Sequence, residues 1–388
     1  MICTILEYGQ GISCGFLRFC IIFALAYKFY YPNGRKYSIP NMPTMECRQI
    51  SKNNNCFDAI RYFLAILITV AHYCVLSDTH LTSDFNIIEN RVSIFFIISG
   101  FFSFMMYDKK PNPWHFAYKR LKRLVPAYWL TILLSVLLLS FISSEDAGCF
   151  WTNRQVYKYL SANLTFANFI EPALPGVFEN NKMSAVNGSL WTMKVEIMLL
   201  ITVPFAYAAF SRWGKKRCLL AIFVFSTLYR LVLNHLYSST GEEIYNILSR
   251  QMVGQLVYFY SGAGTYLYKD FLISNTKILL PVTLAAYLFQ TKVELLYHIS
   301  PICLAIIVII FAFRFKYLYF LSRLPNISYS MYLVHFPIIQ TFVWLGLNKD
   351  YPIATLLLSL LATIIAAYIM WLIAEKPFMK RNAAKRGN

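Results

Sequence analysis

Two polar residues stand in an otherwise apolar segment, residues 61–73, which reads RYFLAILITVAHY. Arg61 and His72 are eleven residues apart. In a helix this spacing is about three turns, so both side chains project from one face, roughly 16 Å apart along the axis. The pair predicts one groove that runs along the helix. The alternative is that Arg61 only marks the membrane boundary and that His72 is a core histidine bonded to a backbone carbonyl.

Few other ionisable residues fall inside apolar segments: Glu196 and His335 do, and Lys194 is nearer a segment end. An ionised side chain at the bilayer centre costs on the order of 3 kcal/mol, so such residues usually face a cavity. Threading the segments through a hydrocarbon core of about 30 Å places His72 and Glu196 at similar depths. We therefore predict that Glu196 and His72 form an acid–base pair aimed at a hydroxyl. The alternatives for Glu196 are an ion pair with Lys194 and a neutral buried carboxyl.

The composition predicts the element that positions these residues, a bundle of membrane helices. Of 388 residues, 58% are hydrophobic and 14% are charged, and the mean hydropathy is +0.50. Soluble domains carry about 25% charged residues, so the fold class predicted is an all-α polytopic membrane protein. Apolar windows of about 17 to 25 residues predict ten spans, at residues 58–76, 88–106, 126–144, 192–210, 218–236, 251–268, 277–290, 298–313, 327–346 and 353–373.

The chain divides into residues 1–50, an N-terminal extension that is an eleventh helix or an interfacial anchor, a membrane domain over 51–380, and a basic tail over 381–388. Nine cysteines are scattered without a CxxC pair or the spacing of metal ligands, so neither a zinc site nor a disulfide framework is predicted.

The net charge of +18 comes from lysines and arginines in short loops between apolar segments. This distribution is typical of the cytoplasmic loops of membrane proteins, and it disfavours a nucleic-acid partner. We therefore expect the loop 107–125, the loop 211–217 and the C-terminus on the cytoplasmic side, and the long loop 145–190 outside.

Six motifs in order resemble acyltransferase family 3. The segment FDAIRYFLAILITVAHY (57–73) is similar to the family's first helix, in which ten residues separate an arginine from a histidine. The others are SIFFIISGFF (93–102), YKRLKRLVPAYW (118–129), NGSLWTMKVEIMLL (187–200), ISYSMYLVHFPII (327–339) and AEKPFMK (374–380). Thr192 and Lys194 depart from the family pattern, and residues 1–50 have no recognised counterpart.

The resemblance implies transfer of an acyl group, commonly acetyl, from cytoplasmic acyl-CoA to a hydroxyl of an envelope polysaccharide or lipid-linked glycan. A bacterial inner-membrane protein is implied. The donor is polyanionic, so Arg61, Arg120 and Arg123 are expected to bind it. The alternative is that these arginines serve only to orient the protein in the membrane. His72 then deprotonates the acceptor hydroxyl or accepts the acyl group itself.

Trp191 and His335 are expected to contact the acceptor. Trp191 is a stacking platform or an ordinary interfacial aromatic residue, and His335 stands two residues before Pro337, which bends its helix. Ser99 is not favoured as a nucleophile, because no base lies near it in sequence. The rival functions are a transporter or flippase of lipid-linked sugars and, more weakly, a glycan polymerase.

Overall fold

The computed structural model describes residues 55–79 and 91–380, and this part of the chain is helical without any strand. It contains ten helices of at least 13 residues, which we number α1 Phe57–Ser77, α2 Arg91–Lys109, α3 Pro113–Leu139, α4 Trp191–Trp213, α5 Lys215–Thr240, α6 Met252–Leu267, α7 Thr276–Leu288, α8 Glu294–Arg314, α9 Ser328–Trp344 and α10 Pro352–Met370. Each predicted span corresponds to one of them. The predicted eleventh helix lies outside the described residues.

Seven of these helical segments, α1 to α5, α8 and α10 with their extensions, are long and apolar enough to cross a membrane. The protein is an all-α polytopic membrane protein. The other three helices, α6, α7 and α9, have 16, 13 and 17 residues.

One helix begins much earlier than predicted. The predicted third span starts at residue 126, but α3 begins at Pro113. Asn112 caps it, because its side-chain oxygen accepts a hydrogen bond from the backbone N–H of His115 at 2.9 Å. The basic stretch that hydropathy assigned to a loop is therefore helical, and it holds Arg120 and Arg123 on the same element as the apolar span.

The backbones of two long helices, α2 and α6, approach each other closely. A Cβ added to Gly100 would lie 1.9 Å from the carbonyl oxygen of Phe259, and one added to Gly262 would lie 1.9 Å from that of Ile97. Small residues permit such close contact between membrane helices. A large apolar core, with Phe101, Phe259 and Ile309 fully buried, surrounds this crossing.

Hydrogen bonds between elements show which helix ends lie together at each end of the bundle. At the end with the basic loops, Asp108 of α2 accepts bonds from Tyr207 of α4 at 3.0 Å and Tyr266 of α6 at 2.8 Å. At the opposite end, Gln340 of α9 donates to the carbonyls of Met183 and Ala185 at 2.7 and 2.9 Å. The long connection between α3 and α4 is therefore folded onto the bundle. It contains the short helices Ala147–Thr152 and Arg154–Leu164.

Candidate active site

A cavity of about 130 Å³ lies between α1, α2, α3, α4 and α9. It brings together four of the predicted site residues: the three arginines and Glu196. The other polar residues of its wall are Ser99, Thr192, Ser328, Tyr329 and Tyr332. Three guanidinium groups face a single lining carboxyl group, so the wall carries an excess of positive charge that suits an anionic ligand.

Arg61 enters the cavity from α1. Its Nη1 donates to Asp58 at 3.1 Å, and its Cζ lies 4.9 Å from the ring centroid of Phe102. Asp58 in turn accepts a 2.5 Å hydrogen bond from Asn326, in the segment just before α9. The guanidinium is held by a carboxylate and an aromatic face, which fixes its position at the cavity wall.

Arg120 and Arg123 lie one turn apart on α3. Arg120 is buried, and its Nη2 donates to Ser103 of α2 at 2.6 Å. Its Nε is buried without a hydrogen-bond partner among the described residues. Arg123 is exposed, and no hydrogen bond or ion pair is found for it in the described part of the chain. Each therefore retains donors for a ligand.

Glu196 accepts a 2.5 Å hydrogen bond from the hydroxyl of Ser99 on α2. The predicted hydrogen bond between Glu196 and His72 is not formed, because His72 bonds instead to His335 on α9. The alternative ion pair with Lys194 is not formed either, since Lys194 lies over the ring of Phe169 with Nζ 4.6 Å from its centroid. The rotation of each helix about its axis directs the two side chains to different neighbours.

His72 pairs with His335. Its Nδ1 lies 2.8 Å from Nε2 of His335, and the two ring planes are inclined by 26° with their centroids 5.0 Å apart. Neither imidazole lines the arginine cavity. Tyr332 connects the two regions, because it lines the cavity and its ring centroid lies 5.6 Å from that of His335.

The NGSLWT segment anchors α9 beside this pair. Pro337 has no N–H for the carbonyl of Leu333, and Nδ2 of Asn187 donates to that carbonyl at 2.8 Å instead. The hydroxyl of Tyr332 donates to the Ser189 carbonyl at 2.8 Å. The predicted bend at Pro337 thus has a partner that satisfies the freed carbonyl.

Trp191 is partly buried against the large core and does not line the cavity. Its role as a sugar platform therefore stays a prediction, and so does acceptor contact by His335, which is completely buried.

The sequence reasoning missed Ser99, Phe102, Tyr329 and Tyr332 as residues of this site. A signal was available for α2, because all but one of its cavity-lining residues, Ile98, follow helical spacing: Val92, Phe95, Phe96, Ser99 and Phe102. The sequence neighbours of Ser99 do not reveal its partner, because Glu196 comes from another helix.

The family model for the acyltransferase domain, Acyl_transf_3, matches residues 54–375. The chain belongs to acyltransferase family 3. Two curated relatives are each 24% identical to this acyltransferase. One is an O-acetyl transferase of Shigella phage Sf6, with a match over 86% of this chain and 98% of the relative. The other is nodulation protein 10 of Rhizobium leguminosarum bv. viciae, with a match over 85% and 94%. No solved structure matches the chain significantly.

Proposed function

We propose that this acyltransferase moves an acetyl group from cytoplasmic acetyl-CoA to a hydroxyl of a bacterial cell-surface or lipid-linked polysaccharide. The enzyme spans the inner membrane with its C-terminus in the cytoplasm. The observation that carries the proposal is the three-arginine cavity, which Tyr332 connects to the paired imidazoles of His72 and His335.

The cavity chemistry supports an acyl-CoA donor. Coenzyme A carries several phosphate charges, and arginine binds phosphate through a planar fork of N–H donors. Arg123 and the Nε of Arg120 have donors to spare, whereas Arg61 is already oriented by Asp58. We assign Arg120 and Arg123 to the anionic part of the donor and Arg61 to the cavity wall along which its acyl arm extends.

The imidazole pair supports attack by a hydroxyl. His72 removes the hydroxyl proton while the oxygen attacks the thioester carbonyl; the new C–O ester bond forms, the C–S bond breaks, and the proton passes to the thiolate. The alternative is a route through an acyl-histidine on His72, which the acceptor then attacks. Trp191 belongs to the acceptor side in this proposal.

The relatives support acetyl as the acyl group, since one of them is an O-acetyl transferase. The acceptor class rests on the family resemblance. O-antigen, capsule and exopolysaccharide are the acceptors that fit.

Mass spectrometry of cell-envelope glycans tests the proposal in three otherwise identical strains: with the gene, without it, and with His72→Ala. We expect acetylated glycans only with the intact gene, at equal membrane abundance of the variant. A matched control is His298→Gln, because His298 lies on α8 outside the cavity and the pair. Identical glycan acetylation in all strains would overturn the proposal, and loss of the glycan itself would instead support a flippase.

A further inference from the structure

We propose that His335 is a positioning residue that keeps the proton of neutral His72 on Nδ1 and leaves Nε2 as the reacting nitrogen. The inference rests on the proposed function for its kinetic consequence, but the tautomer itself is a property of the folded chain. His335 does not touch the acceptor in this assignment.

The assignment follows from the partners of the two rings. His335 Nδ1 lies 3.1 Å from the backbone carbonyl oxygen of Met331, and its Nε2 lies 2.8 Å from Nδ1 of His72. A carbonyl only accepts hydrogen bonds, so Nδ1 of His335 carries the proton. Neutral His335 then has its lone pair on Nε2, and the 2.8 Å contact requires His72 to donate from Nδ1.

The surroundings hold both rings in this arrangement. His335 is completely buried, and the Phe336 ring packs edge-on against His72 with centroids 5.4 Å apart. Phe336 is itself confined, because a Cβ on Gly188 would lie 2.8 Å from its ring. The bond from Asn187 to the Leu333 carbonyl fixes the same stretch of α9. The imidazole of His335 therefore has little freedom to turn or to reach a substrate.

The arrangement determines the path of the proton. His335 cannot pass a proton onward, because the Met331 carbonyl does not accept one covalently. A proton taken from the acceptor hydroxyl at Nε2 of His72 must leave from the same nitrogen, to the thiolate of the departing coenzyme. In the acyl-histidine route the same Nε2 lone pair attacks the thioester carbonyl. Both routes need the Nδ1–H tautomer.

Nitrogen-15 NMR of histidine-labelled enzyme in nanodiscs tests the tautomer directly, with His72 assigned by the signals lost in His72→Ala. We expect a protonated, pyrrole-type Nδ1 and a pyridine-type Nε2 for His72 in the wild-type enzyme. A His72 ring protonated on Nε2 would overturn the inference. This measurement needs no substrate, so it stands even if the acceptor or donor is wrong.

Substitutions of His335 test the consequence. Glutamine can present its amide oxygen to Nδ1 of His72, whereas leucine cannot, so His335→Gln should retain most of kcat. His335→Leu should lose roughly 10- to 100-fold in kcat, by analogy with the loss of the hydrogen-bond partner behind a metal-ligating histidine. KM for acetyl-CoA should stay unchanged in both, because the arginine cavity is untouched.

A purely structural role for His335 predicts another pattern. The glutamine and leucine variants would then have equal kcat at equal abundance, and any loss of activity would come from a smaller amount of folded enzyme. That result would overturn the positioning role. If the wild-type enzyme consumed no acetyl-CoA with any acceptor, the proposed function would be refuted. The NMR experiment would still test the tautomer of His72.

Discussion

Arg120 and Arg123 occupy successive turns of α3, and their surroundings predict different tolerance of change. Arg120 is buried and bonded to Ser103, so its replacement disturbs the contact between α2 and α3 as well as the cavity. Arg123 is exposed and lines the cavity. It is therefore the residue at which donor binding can be tested without breaking a structural contact.

We expect Arg123→Lys to raise KM for acetyl-CoA about tenfold with kcat little changed, because lysine keeps the charge but loses the planar fork. Steady-state release of coenzyme A thiol measures this. The matched control is Lys119→Gln, which alters an exposed cation on the same helix outside the cavity. Equal KM values for wild-type and Arg123→Lys would contradict donor binding by Arg123 and leave it a role only in orienting the protein in the membrane.

Ser99 and Glu196 form the second residue-scale unit, joined by a 2.5 Å hydrogen bond between α2 and α4. Ser99→Ala should lower kcat/KM roughly tenfold, as expected for loss of a hydrogen bond to an ionisable group. Once Glu196→Ala has removed the acceptor, Ser99→Ala should cost little more. Kinetics of the two single variants and the double variant give the coupling.

The control for this cycle is Ser93→Ala, because Ser93 is buried on the same helix but does not line the cavity. It should behave like wild type. Losses that simply multiply in the double variant would show that Ser99 and Glu196 act separately.

At the scale of elements, the crossing of α2 and α6 depends on two glycines. A methyl group on Gly100 or Gly262 would meet a backbone carbonyl at 1.9 Å, so the helices must separate to admit it. We expect Gly100→Ala and Gly262→Ala each to destabilise the fold by about 1–3 kcal/mol or more. Thermal unfolding in detergent, with aggregation as the readout, checks this.

Gly264 supplies a matched control on α6. Its added Cβ would make ordinary contact with the Leu219 side chain at 3.6 Å, so Gly264→Ala should be tolerated. If all three alanine variants unfolded at the wild-type temperature, the close crossing of α2 and α6 would not exist in the membrane.

At the scale of the whole molecule, the basic loops lie at one end of the bundle and the connection between α3 and α4 at the other. The orientation in the membrane can therefore be tested with one native residue, Cys149. Cys149 is exposed in the connection between α3 and α4, whereas Cys56, Cys74, Cys218 and Cys303 are buried. We expect a membrane-impermeant maleimide to label Cys149 in intact spheroplasts, because the positive-inside rule predicts that the basic loops lie on the cytoplasmic side.

Cys149→Ser should remove this labelling and reveal any signal from the cysteines of residues 1–54. In that background, Lys110→Cys, at an exposed position between α2 and α3, should react only after permeabilisation. Labelling of Lys110→Cys in intact spheroplasts would reverse the orientation and remove the cytoplasmic access proposed for the donor.

The ten helices, their order and the polar residues inside them follow from the sequence, because burial in lipid demands long apolar segments and makes each intramembrane charge conspicuous. The arginine cluster was also predictable. Helical spacing places Arg120 and Arg123 on one side of α3, and the cavity brings Arg61 to them. The largest difference is the start of α3, which lies 13 residues before the predicted one, because hydropathy does not detect basic helical turns outside the apolar window.

The partner of His72 depended on tertiary structure. Sequence spacing gives the face of a helix and its depth, but the rotation of each helix relative to its neighbours comes from packing. Here the close approach at Gly100 and Gly262 sets α2 against α6, and α2 presents Ser99 to Glu196. The bond from Asn187 to the carbonyl freed by Pro337 holds α9, and α9 presents His335 to His72. Contacts between distant segments such as these have no periodic signature, so the imidazole pair emerged only once the helices were packed.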